Sequence, residues 1–189
     1  MTREAWLQDL VGEVTPWFAE VGVTLPEVRI STGFTSKGAR SNRIGECWHG
    51  PSAADGLPQI FVHPRLTDSI EVGGVVVHEL IHAGVGTAAG HGAAFKRPAV
   101  ALGLQGRMTS THVGPQLAVD LDRCVARLGK YPHASLHPGT WSSNGKKQTT
   151  RMIKCECPEC GYLVRTSSKW LDRATPTCPI HYNDLIVKS

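Results

Sequence analysis

Two histidines four residues apart, His78 and His82, sit inside the run IEVGGVVVHELIHAGVG, and that run restricts what the chain can become. With Asp68 or Ser69 as its cap, the run reads as a helix whose apolar residues leave little room for a solvated face, so the helix is expected to be buried. Residues four apart share one helix face, so the two imidazoles can bind one zinc ion together. Glu79 lies about 100° further round and can reach a water at that metal as general base. The apolar flanks supply the dry surroundings that a catalytic metal uses.

A catalytic zinc takes a third protein ligand and keeps one position open. His91, nine residues after His82, is the leading candidate. Gly84, Gly86 and Gly90 let the intervening chain turn back, as an unbroken helix would not. Asp120 and Asp122 are the competing carboxylates.

A second cluster lies near the C-terminal end, where four of the six cysteines fall between positions 155 and 178. The segment around them is too short and too polar to fold on an apolar core alone, so it needs a staple. Cys157-Pro-Glu-Cys160 and Cys178-Pro-Ile-His181 stand 17 residues apart, the spacing of a zinc ribbon with two ligands on each turn. Cys155 competes with Cys157 for the first position, although a two-residue knuckle is the more usual one. Cys47 and Cys124 read as small core residues.

The rest of the chain frames these two sites. Of its 189 residues, 41% are hydrophobic and 19% charged, enough for a packed core. Residues 2–20 read as an amphipathic helix, 28–32, 43–48 and 59–63 as strands, and 91–102 and 115–129 as further helices. Three parts are expected: a first domain over 1–129, a basic linker or arm over 130–154, and the ribbon over 155–189. No apolar run is long enough to cross a bilayer, and the opening MTREAWLQDLVGEV lacks the basic-then-apolar pattern of an export signal. A cytoplasmic monomer with no membrane partner is therefore expected.

Charge is unevenly spread. Residues 1–128 carry a net of −1 and residues 129–189 a net of +5. Lys146, Lys147, Arg151, Lys154, Arg165, Lys169 and Arg173 interleave with the aromatic residues Tyr162 and Trp170. Cations for phosphates beside flat faces for bases are what non-specific single-strand binding needs. DNA contact is expected at Lys146, Lys147, Arg151, Lys154, Arg165, Lys169, Trp170 and Arg173.

HELIHAGVGTAAGHGAAFKRPAVALGL resembles the core of the SprT-like metallopeptidases, whose pattern is HExxHA, a variable loop, then HGxxF or HGxxW. His78, His82 and His91 match that family's zinc ligands, Glu79 its catalytic glutamate, and Gly92 and Phe95 the flanking positions. The eight-residue loop between the second and third histidines is shorter than in Spartan-type relatives, and the chain is more similar to compact bacterial or phage-encoded members. The resemblance implies an α+β fold: a zincin-like core of helices plus a small mixed or antiparallel sheet, followed by a zinc ribbon. It also implies a zinc endopeptidase, with one catalytic and one structural zinc, that cleaves proteins associated with or crosslinked to DNA. The alternative is a non-proteolytic nucleic-acid-binding protein that keeps zinc for stability. Substrate is expected to lie extended along an edge strand. His112 and Tyr131 are the candidates for stabilising charge in the transition state.

Overall fold

The computed structural model describes residues 1–137 and 152–188. The chain is mixed α+β with small sheets, and it divides into two compact units, Met1–Trp141 and Ser142–Ser189. Among the described residues, no helix is long and apolar enough to cross a membrane.

In the first unit, α1 (Arg3–Glu20) begins where the Thr2 hydroxyl accepts a hydrogen bond from the Ala5 amide. Its buried residues, Trp6, Leu7, Leu10, Val11, Val14 and Phe18, recur every three to four positions and so form one stripe. Three short strands follow: β1 (Arg29–Thr32), β2 (Gly45–Trp48) and β3 (Gln59–Val62). They form a sheet in the order β1-β3-β2, with β1 parallel and β2 antiparallel to β3, which leaves β2 at an edge.

The helix expected around the histidine pair is α2 (Ser69–Val85). The Asp68 carboxylate caps it by accepting from the amides of Ile70 and Glu71. It is buried nearly all round, with the sheet, α1 and the later elements packed on it. Gly74 shows why a glycine is placed mid-helix, where it costs about 1 kcal/mol relative to alanine. A Cβ there would stand 2.3 Å from Val113 Cγ2, so the glycine lets a hairpin lie directly against the helix.

That hairpin, β4 (Leu104–Arg107) and β5 (Ser110–Val113), follows α3 (Ala93–Ala101) and was not expected from the sequence, which assigns no strand there. The last helix of the unit, α4 (Pro115–Leu128), begins on Pro115 as expected and buries Leu117, Leu121 and Cys124. One core joins α1, α2, α4 and the inner face of the sheet.

Residues 130–137, assigned by composition to a linker, lie on this first unit instead. The Tyr131 ring is buried 5.0 Å from that of Trp6, and its amide donates to Ser69 Oγ. His133 Nε2 and the Leu136 amide both bond the Pro64 carbonyl. An apolar ring entering the core outweighed the polar composition around it.

The second unit is a three-stranded antiparallel sheet in the order β7-β6-β8, with β6 (Ile153–Glu156), β7 (Leu163–Thr166), a single helical turn α5 (Ser168–Leu171), and β8 (Ile186–Lys188). Its core is small: Cys155, Cys157, Cys178 and Leu185.

Candidate metal centres and the groove

α2 ends where Gly86 takes φ 84°, a conformation that favours glycine, and a short 3-10 turn (Thr87–Ala89) follows. Gly90, at φ 53°, turns the chain again and returns His91 to the face that carries His78 and His82. The His91 Nε2 atom stands 3.3 Å from His82 Nε2 and 3.4 Å from His78 Nε2. Ligand nitrogens on a tetrahedral ion, with bonds of about 2.0–2.1 Å, stand about 3.3–3.4 Å apart. Both separations from His91 match that spacing, and all three ligand nitrogens lie within 4.8 Å of one another, so they could hold a single metal ion.

The surroundings favour the ligand form of each ring. Burial, reinforced by His82 and His91, pushes His78 down to about 3. Burial and His91 push His82 down to about 4, and burial and Arg43 lower His91. Each shift is toward the neutral form that metal ligation requires. Phe95, fully buried, lies 4.5–5.0 Å from each of the three rings and forms their common floor. His78 Nδ1 is 2.8 Å from Thr111 Oγ1, which fixes the ring and leaves Nε2 free to face a metal ion. Thr111 escaped the sequence reading because the hairpin carrying it did too. The alternation in LQGR and STHV was its only signal.

Glu79 is 6% exposed. Burial, with the Glu46 charge in second place, pushes its carboxyl up to about 8, partly offset by Arg43 and a bond from the Cys47 backbone. Glu79, His78, His82 and His91 all border a groove of about 1050 Å³. One wall is β2 with the preceding Asn42–Ile44, and the other is Thr109–Val113 of the hairpin.

The competing carboxylates are elsewhere. Asp120 pairs with Arg123 at 2.7 Å on α4, and neither it nor Asp122 belongs to the histidine cluster. Of the two candidates for charge stabilisation, His112 lines the groove, whereas Tyr131 does not. Tyr131 is a core residue whose hydroxyl is 2.6 Å from Thr32 Oγ1. Arg43, which the sequence reading left unassigned, lines the groove and is ion-paired with Glu46.

In the second unit, Cys157, Cys160, Cys178 and His181 bring four ligand atoms within 4.8 Å of one another. The Sγ atoms of Cys160 and Cys178 are 3.7 Å apart, too far for a disulfide and close to the roughly 3.8 Å between thiolates on a tetrahedral ion. His181 offers Nδ1, 3.7 Å from Cys157 Sγ and 3.8 Å from Cys178 Sγ. Both knuckles close alike: the Gly161 amide bonds the Cys157 carbonyl and the Tyr182 amide the Cys178 carbonyl, each residue at positive φ. Burial raises the Cys157 thiol, but backbone N–H groups of Cys160 and Glu159, with His181 and Cys178, outweigh it and hold it at about 6. Cys155 is not among the four; it lies in β6 with its side chain buried in the small core.

Lys146, Lys147 and Arg151 lie outside the described residues. Lys169 Nζ and Arg173 Cζ flank the exposed Trp170, 5.5 and 5.3 Å from its ring centroid. Lys154 pairs in register with Arg165 on one side and with Lys188 on the other, a row of three cations across the sheet. Lys188 is a member the sequence reading missed. Lys154 is also bonded to Glu156 at 2.8 Å.

No family model matches the chain, and neither does any curated protein or solved structure.

Proposed function

We propose that this chain is a zinc-dependent endopeptidase of SprT-like type, with a zincin-like first unit and a zinc ribbon, acting on proteins associated with or crosslinked to DNA. The observation that carries the reading is the convergence of three imidazoles at 3.3 and 3.4 Å with a buried glutamate beside them in one groove. His78, His82 and His91 would hold the catalytic zinc, and Cys157, Cys160, Cys178 and His181 a structural one. A zinc ion in the first site supplies Lewis acidity, polarising a carbonyl and bringing the pKa of water toward ~7.

The chain's own groups do the rest. Glu79 would take a proton from the attacking water and return it to the leaving amine, and a cation held by the three histidines would lower its carboxyl from the raised value, so that it serves as a base. β2 has one edge unpaired among the described strands and borders the groove. An extended polypeptide added to that edge would be held through its main chain, tolerant of sequence. Arg43 lines the same wall, with its guanidinium bonded to the Glu46 carboxylate.

The DNA half of the proposal draws on the row Arg165–Lys154–Lys188 and on Trp170 between two cations, which suit phosphates and stacked bases. The test is cleavage of a DNA-bound protein by the full chain with single-stranded DNA, double-stranded DNA or none. Stimulation by either DNA supports the whole reading. Equal cleavage in all three arms removes the DNA half, and no cleavage in any arm by zinc-loaded, folded protein favours the non-proteolytic alternative.

A further inference from the structure

Side chains alternate along β2, so Gly45 and Cys47 face α2 while Glu46 and Trp48 stand on the opposite face of the sheet. There Trp48 and Phe34, 42% and 44% exposed, border a shallow depression of about 400 Å³ that Phe61 and Thr35 also line. The Thr35 hydroxyl is buried and meets no hydrogen-bond partner, a polar group left over within the protein. The adjoining loop, residues 33–43, carries Lys37, Arg40 and Arg43 and no acidic residue. Lys37 follows the depression directly, in the turn closed by the Gly38 amide on the Thr35 carbonyl. Lys37 and Arg40 are exposed and form no ion pair among the described residues.

The acid inside this surface is already occupied. The Glu46 carboxylate accepts from the Ser36 amide and hydroxyl, both at 2.6 Å, from Trp48 Nε1 at 3.1 Å, and from Arg43. Asp55 nearby is paired with Arg29 at 2.7 Å. What remains for a partner is two flat aromatic faces and unpaired positive charge.

We propose that this outer face binds single-stranded nucleic acid, with bases stacked on Trp48 and Phe34 and phosphates at Lys37 and Arg40. A duplex keeps its bases stacked on one another and cannot offer them to Trp48, whereas a single strand can. These residues belong to the first unit, and the cations of the ribbon to the second. Such binding deepens the nucleic-acid half of the proposed function and does not depend on the peptidase half. Bound here, a strand would lie on the sheet whose β2 edge borders the groove.

The test uses the zinc-loaded full chain and an oligothymidylate carrying 5-iodouracil, crosslinked by long-wavelength light and mapped by mass spectrometry. Crosslinks at Trp48 or Phe34 are expected. Trp48→Ala should weaken binding about fivefold or more. Lys37→Gln combined with Arg40→Gln should lower the slope of log affinity against log salt by about 1.4, at about 0.7 per phosphate contact on a single strand. All three residues are exposed, so circular dichroism should confirm an unchanged fold. Crosslinks confined to Tyr162 and Trp170, or an unaltered salt slope, would overturn the proposal. So would displacement of the oligonucleotide from Trp48 by an unstructured polypeptide, which would assign the face to protein. Because the readout is binding, it stands or falls separately from Glu79-dependent cleavage.

Discussion

The Oε1 atom of Glu79 lies 2.6 Å from where a Cβ on Gly45 would be, with Val75 Cγ1 at 2.5 Å from the same point. The glutamate can occupy the groove only because the edge strand has no side chain opposite it. Gly45→Ala should therefore displace the Glu79 carboxyl, at an overpacking cost of about 1–3 kcal/mol. We expect cleavage to fall by tenfold or more while both zinc ions stay bound. Unchanged turnover with wild-type zinc content would show that the contact does not position the base.

Thr111 orients His78 through Nδ1. Removing such a partner typically costs 10- to 100-fold in metal affinity. For Thr111→Val, chelator competition should release one zinc per chain at correspondingly lower chelator concentration and leave the second undisturbed. Equal release from both proteins would deny Thr111 this role.

Partial burial pulls the Glu46 carboxyl up, but bonds from the Ser36 hydroxyl and amide and from Arg43 outweigh it, so its pKa is lowered from 4.5. A carboxyl with a depressed folded-state pKa contributes stability above the unfolded value and loses it as pH falls through the folded one. Glu46→Gln should thus destabilise the first unit at neutral pH, and the gap from wild type should close below about pH 4.5. A gap that widened on acidification would have the wrong sign for this network.

Tyr182 takes φ 55° and is 83% exposed, occupying in its knuckle the position that Gly161 occupies in the other. A non-glycine residue there costs about 1–2 kcal/mol, part of which glycine returns through a more flexible unfolded chain. Tyr182→Gly should raise the stability of the zinc-loaded ribbon by about 0.5–1 kcal/mol in denaturant titrations. A loss of stability would mean that the tyrosine side chain contributes contacts of its own.

The alternative ligand sets of the ribbon separate on stoichiometry. Cys155→Ala should retain two zinc ions per chain, losing only a little core volume, whereas Cys157→Ser should lose one and unfold the second unit. The reverse pattern would place Cys155 in the metal site.

Much of this was legible in the chain because the relevant signals are local. The cap at Asp68, the spacing of His78 and His82, and the paired knuckles at Cys157 and Cys178 are each contained within a few residues. Three glycines between His82 and His91 marked the turn that returns the third imidazole. What stayed hidden depends on contacts distant in sequence. Thr111 reaches His78 across 33 positions on a hairpin of weak alternation, and Gly45 approaches Glu79 from another strand. Tyr131 is held in the core by the Trp6 ring, a contact so distant in sequence that no local pattern marks it. The cation row gained Lys188 only through strand register, which no periodicity announces.

The most direct test of the account is hydrolysis of an unfolded protein by wild type and by Glu79→Gln, each with its zinc content measured. The account predicts two zinc ions per chain in both proteins, cleavage by wild type, and a loss of at least 100-fold in the variant, the lower end of what general-base catalysis contributes. Cleavage by Glu79→Gln at the wild-type rate, or none by wild type carrying both ions, would contradict it.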